Sequence, residues 1–163
     1  MTDPTTRYAG PADLAAVAAL FDAYRQFYEM PPDAGRARAY IAERMQKKQS
    51  VILVAEDDAG AITGFCQLYP SFCSVLAEQI LVLYDLFVRP DARRSGAAKA
   101  LMLAAERHAI EAGAARMDLQ TAESNRPAQA LYESLGWTRD TVFRVYTKAV
   151  VAPPAGIEPA SET

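Results

Sequence analysis

The 163-residue chain holds one histidine and two cysteines, few of the residue types from which most protein metal centres are built. Cys66 and Cys73 have no second pair at ligand spacing and His108 has no local partner pattern, so no metal is expected and His108 reads as a surface residue. Few cysteines also mean that stability must come from a packed core. At this length about 68–70% of the unfolded surface is buried on folding, so neither disulfides nor a structural metal is required, and a reducing cytoplasm is the expected compartment. Long apolar runs are missing as well: none approaches the ~18 residues of a membrane span. The segment Met1 to Arg7 lacks the basic-then-apolar order of a secretory signal, so no membrane partner is expected. A basic excess is absent, since the formal net charge is −3, and this argues against nucleic acid as a partner.

Half of the residues are hydrophobic (51%), which suits one globular domain, placed at residues 1–150. Residues 151–163, rich in proline and small or polar side chains without periodicity, read as a flexible tail. No internal repeat is present. Thr6 to Ala9 reads as a short opening strand. Leu14, Val17, Ala18, Leu20 and Phe21 recur at helical spacing in a helix running from Pro11 to about Glu29. Asp33 suits the N-cap of a second helix through about Lys48. Val51 to Ala55 and Ile62 to Tyr69 predict a hairpin around Asp57 to Gly60, and Pro70 to Leu76 reads as a loop. Ile80 to Val88 is a strand with one charge, Asp85, inside it. A helix over about Gly96 to Ala112 and a strand over Ala114 to Thr121 complete a right-handed crossover that sets two strands parallel. Asn125-Arg126-Pro127 opens a last helix that Gly136 ends, and Trp137 to Arg139 and Val142 to Thr147 read as closing strands.

The turn Arg93-Arg94-Ser95-Gly96-Ala97-Ala98-Lys99 joins that charged strand to its helix. Amides at a helix start lack intrahelical partners and carry partial positive charge, so an anion can seat there. Gly96 would let a diphosphate approach the backbone, Ala98 would not block it, and Arg93, Arg94 and Lys99 supply counter-charge. A solvated basic loop is the other reading, and the turn by itself leaves both open.

The turn resembles motif A, Q/R-x-x-G-x-G/A, of the GCN5-related N-acetyltransferase (GNAT) superfamily. Asn125, Ala130, Leu131, Tyr132, Glu133, Leu135 and Gly136 resemble its N-x-x-A-x-x-L-Y-x-x-L-G-[FW] run. The element order over about residues 5–148 is similar too. Weaker similarity, in Phe21 to Tyr28 and Gln67 to Phe72, points to a bacterial branch near the histone- and polyamine-acetylating members. The resemblance implies a mixed α/β (α+β) domain: a mostly antiparallel sheet of about six to seven strands, four flanking helices, and a bulged, splayed pair of parallel strands.

It further implies acetyl-CoA as donor, with its pyrophosphate on the amides of Arg94 to Lys99 and its pantetheine on backbone groups of Phe87 and Val88. Ala98 stands where the family often has glycine. The implied activity is acetyl transfer to a primary amine, of a small molecule, by direct attack in a ternary complex. A protein lysine or N-terminus, or a non-catalytic acyl-CoA sensor, is the alternative. A homodimer is implied as well. Tyr132 matches the family's acid for the departing thiolate, against a plain half-buried helix tyrosine. Asn125 caps its helix, contacts the cofactor, or both. Asp85 reads as a base for the amine or as a structural carboxylate at the bulge. Polyamine-acetylating members commonly carry glutamate at the position of Tyr84. Tyr24, Tyr28, Tyr69 and Tyr84 are the candidates for the acceptor slot.

Overall fold

The computed structural model describes residues 3–151; the expected tail, but for Val151, lies outside them. These residues form two units, 3–119 and 120–151, taken in turn. In the first, β1 (Thr5–Tyr8), a short 3₁₀ turn at Pro11–Asp13, α1 (Leu14–Phe27) and α2 (Ala34–Gln46) precede β2 (Val51–Glu56), β3 (Ile62–Cys73) and β4 (Glu78–Val88), which are followed by α3 (Ala97–Glu111) and β5 (Met117–Leu119). The five strands lie in the order β1-β2-β3-β4-β5, antiparallel except for the parallel pair β4 and β5. The capping expectation at Asp33 holds, since its side chain accepts from Arg36 N at 3.0 Å.

Alternation along the strands sorts side chains onto two faces. Ile52, Val54, Phe65 and Phe87 pack with Val17, Leu20 and Phe21 of α1 and with Ala37 and Ile41 of α2. The opposite face meets α3. There a Cβ built on Gly64 would lie 3.0 Å from Val88 Cγ2 and 3.4 Å from Leu101 Cδ1, so glycine lets the helix close on the sheet. Tyr8 lies on this face, its hydroxyl 2.8 Å from His108 Nδ1. This exposed contact spans 100 residues, so it gives His108 a partner that no local pattern displays.

Two strand predictions change. Pro70 to Cys73, expected as loop, continues β3, with Pro70 opposite Leu81. Leu81 N turns away from β3 to Arg116 O at 3.1 Å, so this pair is a non-hydrogen-bonded one and the ladder needs no N–H from Pro70 on the β4 side. β2 ends its pairing at Leu68, so none is needed on the other side either. β5 is only three residues long, shorter than predicted.

In the second unit α4 spans Arg126–Ser134, and Asn125 Oδ1 accepts from Ala128 N at 3.4 Å as its cap. The closing strands expected at Trp137 to Arg139 and Val142 to Thr147 do not form among the described residues, and Val142, Phe143, Val145 and Tyr146 are exposed. Their apolar pattern suits a strand, but a strand needs a neighbouring ladder for its backbone groups. The class matches the expected mixed α/β fold, with four helices and five strands among the described residues.

Candidate active site

The central irregularity of the sheet is a bulge in β4. Asp85 pairs with Gln67 and Leu83 with Leu68, so Tyr84 is the extra residue. A bulge of this kind sets two consecutive side chains on one face. Tyr84 is 62% exposed, with its ring 5.6 Å from that of Tyr69, whereas Asp85 beside it is 3% exposed. Both belong to the α1 and α2 face.

The same bulge reverses which backbone groups of β4 turn away from β3. Before it, Gln79 O and Leu81 N point toward β5, bonding Ala115 N and Arg116 O. After it, Arg89 N donates to Thr63 O at 2.8 Å, which makes Thr63 and Arg89 a hydrogen-bonded pair and, by alternation, Phe65 and Phe87 another. The groups of Leu86 and Val88 therefore turn outward. Pairing with β5 ends at Leu83 and Leu119, the last residue of β5, so the outward groups of Leu86 and Val88 lie beyond the paired stretch. Phe87 directs its backbone at β3, so in this stretch the outward-facing backbone groups are those of Leu86 and Val88.

Asp85 is held by two donors. Gln67 Nε2 donates to its Oδ2 at 2.5 Å, and Ser50 Oγ donates to Gln67 Oε1 at 2.7 Å. The second donor is Tyr24, whose hydroxyl also lies 3.1 Å from the carbonyl oxygen of Tyr84. Burial raises the Asp85 carboxyl to about 6, and the hydrogen bonds from Gln67 and then Tyr24 oppose the rise. Burial also raises the phenols of Tyr24, Tyr28 and Tyr69, with the Asp85 charge adding to each. The four acceptor candidates do come together: the rings of Tyr24 and Tyr28 are 5.1 Å apart, and Tyr69 reaches Tyr84. Sequence reasoning missed Gln67, Ser50 and Tyr40, the last with its hydroxyl 2.6 Å from that of Tyr69. Gln67 had a signal, a polar residue in an apolar strand as Asp85 is in its own.

At the start of α3, Arg94 and Gly96 both take left-handed backbone, at φ 64° and 86°. A Cβ on Gly96 would meet only Pro4 Cδ at 3.8 Å, so glycine is required by conformation and the approach to the helix start is open. Ala97 is buried and its N lies 3.3 Å from Ser95 Oγ. Arg94, Ser95 and Lys99 are exposed and Ala98 half-buried. Arg93 is turned back: its Nε donates to Val88 O at 3.2 Å and its guanidinium lies over the Phe87 ring. In the second unit, Tyr132 is half-buried with its ring 6.4 Å from that of Trp137.

A glycine-bearing helix start and outward backbone groups on the strand before it leave the ligand open, and the sequence comparison decides the matter. A profile of the acetyltransferase (GNAT) family matches residues 17–137. The chain belongs to this family. It is 44% identical over 146 residues to an uncharacterized N-acetyltransferase, YhfO, of Bacillus subtilis (strain 168), across 90% of this chain and 97% of the relative. The crystal structure of a probable acetyltransferase superposes with a TM-score of 0.85 at 36% identity, covering 91% of this chain and 99% of the other. An L-ornithine N5-acetyltransferase of Arabidopsis thaliana is 32% identical over 75 residues, 46% of this chain and 33% of that one. This GNAT enzyme is thus an N-acetyltransferase whose donor is acetyl-CoA, and the open glycine turn and outward β4 groups fit that donor. Among the described residues no group of His, Cys, Asp or Glu could hold a metal ion, and no helix is long and apolar enough to cross a membrane.

Proposed function

We propose that this enzyme acetylates a primary amine of a small molecule by direct attack within a ternary complex, with Asp85 as the base. The observation that carries the reading is a carboxylate buried beneath tyrosines at the bulge of β4, just past the end of its pairing with β5. An alkylamine of pKa about 10.4 is protonated at pH 7 and must lose a proton before it can attack. A carboxylate titrating near 6 is matched to receive one, directly or through water, at neutral pH. Tyr24, Tyr28, Tyr69 and Tyr84 supply faces for the cation before that transfer, worth about 0.5–2 kcal/mol. The likeness to an ornithine-acetylating relative supports a small alkylamine.

The amine nitrogen forms a bond to the thioester carbonyl carbon, the carbon–sulfur bond breaks, and the sulfur takes a proton from the phenol of Tyr132. The amides of Arg94 to Lys99 seat the pyrophosphate, Leu86 and Val88 hold the pantetheine, and Asn125 adds a cofactor contact to its capping role. The compartment is the cytoplasm and the assembly a homodimer, the latter checked by light scattering at micromolar concentration, where monomer alone counts against it.

A panel of polyamines, arylalkylamines, amino acids and lysine peptides, scored by CoA release, tests the reading. Release with free amines and not with peptides is the expected result. Release with peptides alone favours a protein acceptor, and tight acetyl-CoA binding with no release favours a sensor. Tyr132→Phe is expected to lower kcat by about 10²-fold, and an unchanged kcat under rate-limiting chemistry removes Tyr132 as the acid.

A further inference from the structure

Asp85 is reached by a chain of hydrogen bonds with a fixed direction. A primary amide has one accepting end and one donating end. With Gln67 Oε1 receiving the Ser50 hydroxyl at 2.7 Å, only its amino group is left to meet the carboxylate, which it does at Oδ2. Turned the other way, the amide would set two oxygens against each other in a site where Gln67 is 0% exposed, a costly arrangement in a low dielectric.

We infer that Gln67, oriented by Ser50, is the positioning residue for Asp85: it occupies Oδ2, directs Oδ1 to the acceptor, and keeps the carboxylate ionisable inside an apolar surround. This rests on the reading of Asp85 as the base. The groups that face Asp85 are Tyr24 of α1 and Tyr28 just past its end, Tyr69 of β3, and Tyr84 beside it on β4, while Cys66 of β3 lies behind it on the α3 face. From α2, Tyr40 bonds Tyr69, and Arg44 stacks over the Tyr40 ring at 4.4 Å while pairing with Glu43. Burial pushes the phenols of Tyr24, Tyr28 and Tyr69 upward and the Cys66 thiol to about 12. These four stay uncharged over pH 5–8, so the titration of Asp85 is read without theirs. Tyr24 has one hydroxyl hydrogen for two acceptors, Asp85 and the Tyr84 carbonyl. Gln67 offers the carboxylate a donor that no carbonyl competes for.

The test follows the Asp85 carboxyl by ¹³C NMR in the full chain labelled at aspartate, with its resonance assigned by its loss in Asp85→Asn. This readout needs no acceptor. The midpoint is expected near 6 in the parent, at least about one pH unit higher in Gln67→Leu, a tenfold change in acid constant, and about half a unit higher in Ser50→Ala. Ser50 is half-buried at the edge of β2, so its variant keeps the proposal testable if Gln67→Leu does not fold. Midpoints that match the parent in the folded variants overturn the inference. The base reading is judged separately, on Asp85→Asn turnover of the best amine in the panel. If that rate and its acidic limb persist while the NMR midpoints move, Asp85 is not the base, and Gln67 then tunes a structural carboxylate instead of positioning a base.

Discussion

The two faces of strands β3 and β4 take alternate residues of the same strands and do different work. On the α3 face, Gly64, Cys66 and Leu68 meet Leu101 and its neighbours, all apolar or nearly so. On the α1 and α2 face, Phe65 and Phe87 are core, but Gln67 and Asp85 lie between them, buried and hydrogen-bonded. One face maximises burial. The other gives up some burial to hold an ionisable group, and the bulge at Tyr84 is what lets both faces share a strand.

The comparison predicts opposite signs for substitutions on the two faces. Leu101→Ala, on the stabilising face, is expected to lose about 2–5 kcal/mol in urea unfolding, because a fully buried leucine leaves a cavity. The pH midpoint of activity should not move. If it moves with the loss of stability, the faces are coupled and the division fails.

Asp85→Asn is expected to do the reverse. Burial raises the folded-state pKa to about 6, so the folded protein holds its proton more tightly than the unfolded chain does. The folded state is therefore penalised as pH rises from about 4 through 6, and the penalty is constant above that. A neutral amide removes it. The variant should gain about 2–3 kcal/mol at pH 8 and nothing at pH 4, while kcat/KM falls by about 10²-fold or more. Equal stability of parent and variant at pH 8 breaks the claim that this face trades stability for chemistry.

Why the sequence showed one face better than the other follows from the same geometry. Apolar alternation in Val51 to Ala55 and Ile62 to Tyr69 displays a sheet, and a lone charge at Asp85 stands out against it. The glycine turn at Gly96 and the Asn125 cap are local, and they too were readable. The bulge was expected only through family resemblance, since an extra residue in one strand is defined by the partner strand's register. That register decides that Leu86, and not Phe87, turns its backbone outward. It also brings Gln67 opposite Asp85 across 18 residues and Tyr8 beside His108 across 100. The closing strands failed for a related reason: an alternating pattern states which side chains would be buried, not whether a ladder is there to pair with.

The smallest effect probes where the stabilising face becomes a binding element, at the start of α3. Gly96 has φ 86° and open space around it, so Gly96→Ala meets no clash and its cost is conformational, about 1 kcal/mol. A residue that relaxes that strain rotates the amides of the first turn, which are the groups assigned to the pyrophosphate. KM for acetyl-CoA is therefore expected to rise several-fold, with the Asp85 midpoint unmoved because that carboxylate lies on the other face. A loss of about 1 kcal/mol with KM unchanged would show that Gly96 only shapes the helix start, and the phosphate seat would have to be sought elsewhere.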